Sequence, residues 1–123
     1  MSLKIETSRI DGEILLVRLS GSLTRWGEQS LDEPWIHDFL CRGEKKLIVD
    51  LSGIGPMDSS GVQLLYECFA AARSAGGELR LVGANTRVAR LFQITRLNTV
   101  LPFHLTIASA CEGFRMPGTG RAG

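Results

Sequence analysis

Residues 46–62 read KLIVDLSGIGPMDSSGV, and this stretch gives the clearest indication of the fold of the chain. Its first part, Lys46 to Leu51, is a nearly unbroken apolar run, which is typical of a strand covered on both faces in a parallel sheet. The polar residues after it lead into a helical pattern, so a rigid loop is expected from Leu51 to Val62. Sites for ligands and partners collect where parallel strands end. The segment after Leu51 is therefore where a function is expected.

Strand and helix patterns alternate on both sides of this stretch. Before it, Asp11-Gly12 separates two apolar runs and accepts the positive φ values of a tight hairpin turn. After it, residues 59–75 place apolar side chains at three- and four-residue steps, and Gly76-Gly77 supplies a left-handed helix stop. The remaining chain predicts a strand, a short helix, a short strand and a last helix over Glu78–Val82, Thr86–Gln93, Val100–Phe103 and Thr106–Phe114.

These elements predict an α/β sandwich. Its central sheet is mostly parallel, with an N-terminal antiparallel hairpin strand and about four helices mainly on one side. One of these helices is expected over Gly27 to Cys41, where Pro34 predicts a kink or a late start. A single domain over residues 3–114 is expected, because 123 residues provide one hydrophobic core. Residues 115–123 are rich in glycine and predict a flexible C-terminal tail.

Charge and length exclude several classes of partner. A formal net charge of +1 gives no field strong enough to hold nucleic acid or anionic lipid. No apolar run approaches the ~20 residues of a membrane span, and no signal peptide opens the chain, so a cytoplasmic location is expected. The three cysteines are widely spaced and lack metal-ligand spacing, so neither disulfides nor a metal site is indicated: Cys41, Cys68 and Cys111.

The polar residues before the central helix suggest a site of modification. Asp58 or Ser59 can accept hydrogen bonds from the first unpaired amides, while the hydroxyl of Ser60 is free to point outward. A phosphate on Ser60 would meet the positive end of the helix dipole. The same residues also suit plain helix capping, and Ser60 with Gln63 fits a capping box. The residues alone leave both interpretations open.

A resemblance to a known family favours the first interpretation. The two runs LIVDLS at 47–52 and MDSSGV at 57–62 resemble the signature of STAS domains, in particular the bacterial anti-sigma factor antagonists. Further similar segments are LSGSL at 19–23, GGEL at 76–79 and VARLF at 88–92. The resemblance therefore covers nearly the whole chain, from Leu3 to about Phe114, and implies a STAS-type sandwich.

The resemblance implies a phosphoprotein that regulates transcription by partner switching, and not an enzyme. The unmodified form would bind an anti-sigma factor that is also a serine kinase, and phosphorylation of Ser60 would release it. The kinase would supply ATP and magnesium, a phosphatase would restore the binding form, and the chain itself would need no cofactor. Sigma-factor-dependent transcription would be regulated in this way.

A partner-binding surface is expected around the start of the helix, with Ile54 and Met57 as apolar anchors in a polar rim. Its expected members are Thr24, Ile54, Met57, Asp58, Ser59, Ser60 and Gly61. Thr24 stands where the antagonists commonly have an aspartate, and it offers only a weak hydroxyl contact. This departure leaves an alternative open: a STAS subunit or scaffold that docks, without phosphorylation, on a membrane transporter, a lipid-transport ATPase or a stress-sensing assembly.

Other functional classes find little support. His37 and His104 are expected far from Ser60, so no catalytic residues converge on one pocket. Cys68 is expected in the core. A nucleotide-binding module would rest only on Gly53 to Gly55, which lacks the lysine of a phosphate-binding loop.

Overall fold

The structure is a computed structural model that describes residues 4–10, 12–23 and 42–115. Its strands are β1 (Lys4–Ile10), β2 (Ile14–Leu23), β3 (Lys46–Met57), β4 (Glu78–Val82) and β5 (Phe103–His104). The helices among these residues are α1 (Ser59–Ser74), α2 (Thr86–Thr95) and α3 (Ile107–Arg115), with a 3-10 turn at Leu97–Thr99. The five strands form one sheet in chain order, β1 to β5. β1 is antiparallel to β2, and the other neighbours are parallel, so the predicted fold class is confirmed.

The N-terminal hairpin forms as predicted. β1 and β2 pair without interruption from Lys4 opposite Ser20 to Ile10 opposite Ile14. Gly12, between the strands, has a φ of 76°. Glycine adopts this left-handed conformation without steric cost, which explains the turn at this position.

Side chains of β2 and β3 alternate between two apolar layers, as the period of a strand requires. On the first face, leucines and valines of both strands pack under α1 and α2: Leu15, Val17, Leu19, Leu47, Val49 and Leu51. On the second face, a smaller cluster packs under α3: Ile14, Leu16, Ile48, Val82, Ala110, Cys111 and Phe114. The central strand β3 is therefore covered on both faces, as predicted. Two of the three described helices lie on the first face.

Several element bounds differ from the predictions. β5 is Phe103–His104 and not Val100–Phe103. The reason is a left-handed residue, Arg96 (φ 64°), which ends α2 and starts the 3-10 turn, so the chain reaches the sheet later. The helix predicted over Gly27 to Cys41, the effect of Pro34 and the tail from Met116 onward lie outside the described residues.

Candidate functional site

The candidate site lies at the end of β3. The sequence predicts a loop from Leu51, but β3 continues to Met57, so the predicted loop is wrong. The extension forms because β2 also runs on, to Leu23, and provides a hydrogen-bonding partner. Beyond Asp50, β3 has no pairing with β4. The end of β3 thus projects from the sheet as a two-stranded ribbon with β2, and it leads directly into α1.

Two bulges determine where the side chains of this ribbon point. The register shifts between Arg18 and Ser20 of β2, and again between Gly21 and Leu23, and each shift leaves one additional residue on β3. A bulge of this kind bends the strand and changes the side-chain alternation. Apolar side chains three residues apart consequently all face the core: Leu51, Ile54 and Met57.

Asp50 holds the start of the ribbon. Its carboxylate accepts hydrogen bonds from the backbone N–H of Ser52 (2.9 Å) and from Nε of Arg18 (3.2 Å). Burial alone raises the pKa of Asp50, but the hydrogen bonds from Ser52 and Arg18 outweigh burial and keep the pKa below its ordinary value of 3.8. Asp50 is therefore an ionised anchor, inside the protein, for the backbone that leads to the site.

Gly53 and Asn85 hold the middle of the ribbon. A Cβ on Gly53 would lie 2.8 Å from Cβ of Ser20 and 2.9 Å from the carbonyl oxygen of Leu19, so only glycine allows β2 to approach this closely. Asn85 caps α2 by accepting a hydrogen bond from the backbone N–H of Val88 (2.8 Å). Its amide nitrogen donates to the carbonyl of Ile54 (3.5 Å), which connects the start of α2 to the ribbon.

Asp58 is the N-cap of α1 and organises the site. Its side-chain Oδ1 accepts hydrogen bonds from the backbone N–H groups of Ser60 (2.9 Å) and Gly61 (3.3 Å). The N–H of Gly61 also donates to the backbone carbonyl of Asp58 (3.0 Å), so both amides at the helix start have acceptors on Asp58. Ser59 is exposed and Ser60 is partly exposed. Because Asp58 is the cap, Ser60 lies inside the first turn, and the capping box of Ser60 with Gln63 is not formed.

Three of the residues predicted for the partner surface are buried in the structure. Ile54 is 2% exposed and Met57 is 8% exposed, and both side chains pack in the core under α1. Gly61 is also buried. Ile54 and Met57 therefore position the site and cannot serve as apolar anchors for a partner, since the bulges turn them inward. Thr24 lies outside the described residues.

The other residues considered from the sequence have structural surroundings. Cys68 is fully buried, and burial raises the pKa of its thiol to about 12, which leaves it neutral within the core. His104 contacts Arg80 and Ser109, away from the start of α1. Within residues 4–10, 12–23 and 42–115, the structure shows no group of three or more potential metal ligands. None of the described helices is both long and apolar enough to span a membrane.

Three residues that position the site were not predicted from the sequence to do so: Asp50, Gly53 and Asn85. A signal existed for two of them. An isolated glycine within a strand pattern, such as Gly53, indicates a bulge or a close backbone approach. Asn85 precedes an amphipathic helix and fits an N-cap. Asp50 gave no signal, because its partner Arg18 is distant in the sequence.

The chain forms a small α/β domain. At one end of its sheet, a serine lies in the first turn of a helix that is capped by Asp58. The family model for the STAS domain matches residues 4–110, and the chain therefore belongs to the STAS domain family. The resemblance seen in the sequence is confirmed.

Relatives in this family share most of the chain. The anti-sigma-B factor antagonist of Staphylococcus aureus is 31% identical over 104 residues, which cover 82% of this chain and 92% of that protein. An anti-sigma factor antagonist from Mycobacterium paratuberculosis has a similar crystal structure, with a TM-score of 0.79 at 20% identity over 94% of this chain and 96% of that one. The phosphorylated form of the Bacillus cell fate determinant SpoIIAA matches with a TM-score of 0.63 at 22% identity, over 89% and 97% of the two chains.

Proposed function

We propose that this protein is an anti-sigma factor antagonist that is switched by phosphorylation of Ser60. The observation that carries the proposal is the N-cap of α1, where the carboxylate of Asp58 holds the backbone of Ser60 and Gly61. The cap fixes the first turn, so Ser60 has a defined orientation and remains partly exposed. Names of relatives in the same family support this assignment.

The partner would bind a polar surface. Since Ile54 and Met57 are buried, the available contacts at the start of α1 are Ser59, the hydroxyl of Ser60 and side chains one turn later. Gln63 lies three residues after Ser60 and is exposed, so it shares this face of the helix. A partner with hydrogen-bonding groups, rather than a hydrophobic pocket, fits such a surface.

A phosphate on Ser60 would find the two nearest capped amides already engaged. The amides of Ser60 and Gly61 already donate to the carboxylate of Asp58, so they are not available to a phosphate at the helix start. The phosphate adds a charge of about −1.5 to −2 beside this carboxylate. Burying such a group unpaired in an interface costs several kcal/mol, which corresponds to a loss of affinity of roughly 100-fold or more. Phosphorylation would therefore release the partner.

The partner in this proposal is an anti-sigma factor that is also a serine kinase and brings ATP and magnesium. A phosphatase would return the protein to its binding form. The consequence would be control of sigma-factor-dependent transcription. A contact from Thr24 stays a prediction.

The test compares wild-type protein with Ser60→Ala and, as a matched control, Ser59→Ala. Each is recovered from its native cells, and phosphate is located by intact-mass and fragment-mass analysis. Phosphate is expected on Ser60 in the wild type and in Ser59→Ala, and absent from Ser60→Ala. The affinity for the copurified kinase is then measured by calorimetry, and Ser60→Glu is expected to weaken it by roughly 100-fold.

Two results would contradict the proposal. One is the absence of phosphate from Ser60 under every growth condition. The other is an unchanged affinity of Ser60→Glu for the kinase. A transporter or ATPase subunit bound to unphosphorylated protein would instead support the scaffold interpretation.

A further inference from the structure

The second face of the sheet contains a largely buried arginine that does not belong to the Ser60 site. The side chain of Arg80, in β4, is 12% exposed and forms an ion pair with Glu78. Its guanidinium carbon lies 5.0 Å from the ring centroid of Phe114 in α3. A Cβ on Gly113 would come within 2.6 Å of its Nη1, so the guanidinium lies directly against the backbone of α3. Its Nε is buried and has no hydrogen-bond partner.

His104 connects this arginine to α3. Nη1 of Arg80 lies 2.8 Å from Nε2 of His104, and Nδ1 of His104 lies 3.0 Å from Oγ of Ser109 in α3. Arginine is only a donor, so Nε2 must accept its hydrogen bond. The ring proton of the neutral imidazole is therefore on Nδ1, which donates to Ser109. The neutral ring thus bridges β4 and α3.

We propose that Arg80 and His104 form an acid-sensitive latch, and that protonation of His104 releases α3 from the second face of the sheet. A proton from solvent binds Nε2, which then has no lone pair to accept the hydrogen bond from Arg80. Two cations would face each other at 2.8 Å, so the ring and the guanidinium must separate. Separation removes the bridge through Ser109 and disturbs the guanidinium that contacts Gly113 and Phe114.

The charged groups around His104 determine the direction of its titration. From β4, Arg80 and Glu78 face the ring. From α3, Glu112 is exposed to solvent, and the Cys111 thiol, whose pKa is raised by burial, stays neutral. Burial, followed by Arg80, lowers the pKa of His104 from 6.5, while Glu78 raises it. The latch is therefore complete above pH 6.5 and is lost as the pH falls from 6.5 through the pKa of the folded state.

Release of α3 would uncover apolar surface on the side of the sheet opposite α1. The residues beneath α3 form the smaller of the two clusters, which includes Ile48 and Val82 of the sheet. The latch is separate from the proposed switch, because α1, whose first turn contains Ser60, packs on the first face. Acid would thus change one face of the domain and leave the other in place.

The first test is long-range proton–nitrogen NMR of the imidazole rings, with His37→Gln used to assign the two histidines. The expected results are a proton on Nδ1 of His104 and a pKa below 6.5. Glu78→Gln, which removes the neighbouring anion, should lower this pKa further. A proton on Nε2 in the neutral form, or a pKa at or above 6.5, would overturn the proposal.

The second test is amide hydrogen exchange of the full chain between pH 7 and 4.5, corrected for the intrinsic exchange rates. Protection of α3 should fall by about tenfold for each pH unit between 6.5, the ordinary pKa of histidine, and the lower pKa of His104 in the folded state. Protection of α1 should stay constant. His104→Gln should remove this dependence. Equal pH dependence in the variant, or joint loss of protection in α1 and α3, would contradict the latch. If His104→Gln does not fold, Glu78→Gln serves instead, and the pH at which α3 loses protection should move to a lower value. If that pH does not move, the latch is contradicted.

Discussion

The two faces of the sheet differ in how they are stabilised. The first face carries the larger apolar cluster, to which α1 and α2 contribute side chains such as Leu65 and Phe92 that are fully buried. The second face carries a smaller cluster under α3, and the largely buried charged side chains Asp50 and Arg80 lie on this side.

This difference separates two tasks. Apolar packing is insensitive to pH and holds α1 in one position, which suits a helix that presents a modifiable serine. Buried charges depend on a few hydrogen bonds, so a single proton can change their energy considerably. The first face therefore supports the site, and the second face is where a change in pH can alter the fold.

The largest effect on stability should come from truncating a phenylalanine in each of the two apolar layers. Phe92→Ala should lower the free energy of unfolding by about 4 kcal/mol, because the ring is fully buried and lies edge-on to Phe103 at 4.8 Å. Phe114→Ala should cost about 3 kcal/mol, the lower end of the range for a buried phenylalanine, since its ring is 8% exposed and belongs to the smaller cluster. Urea unfolding measures both values. Equal losses in the two variants would show that the two faces contribute equally to the free energy of unfolding.

The next effect concerns two glycines with nearly the same φ, Gly83 (78°) and Gly12 (76°). Gly12→Ala should cost about 1 kcal/mol, which is the penalty of the left-handed backbone, because nothing lies within 4 Å of the new Cβ. Gly83→Ala should cost about 3 kcal/mol, because its Cβ would also lie 2.5 Å from Oδ1 of Asp50. Thermal unfolding of both variants checks the difference. A Gly83→Ala variant as stable as Gly12→Ala would show that Asp50 has room to move.

A smaller effect is expected at the cap of α1. Asp58→Ala should lower the free energy of unfolding by about 1 kcal/mol, because the N–H group of Ser60 loses its acceptor and that of Gly61 keeps only the backbone carbonyl oxygen of residue 58. Asp58→Asn retains an acceptor oxygen and should lose only a few tenths of a kcal/mol. Denaturant titration separates the two variants. If both lose the same amount, the charge of Asp58 matters more than its hydrogen bonds.

The smallest effect is expected at Asp50, on the second face, and it should disappear in acid. The pKa of Asp50 is lower in the folded protein than its ordinary 3.8, so the carboxylate stabilises the fold above that pH and ceases to do so as the pH falls through the folded pKa. Wild type should exceed Asp50→Asn in stability at pH 6, and the difference should shrink below about pH 4. Unfolding curves between pH 6 and 2.5 measure it. A constant difference would mean that Asp50 contributes through shape alone.

Much of the first face was predictable from the sequence. The positions of α1 and β4 follow from local signals: three- and four-residue apolar steps, the Gly76-Gly77 stop and a short apolar run. The cap by Asp58 was one of two predicted options. The inward direction of Ile54 and Met57 was not predictable, because it depends on bulges that form only when β2 pairs with the end of β3.

The order and type of the elements, and a serine inside a capped helix start, follow from local sequence, because they depend on neighbours within one or two turns. Which groups meet across the sheet depends on the tertiary structure. Gly53 contacts Ser20, Asp50 pairs with Arg18, and Arg80 meets His104. The period of a strand or helix shows that a face is buried, but the strand register selects the side chains that share it.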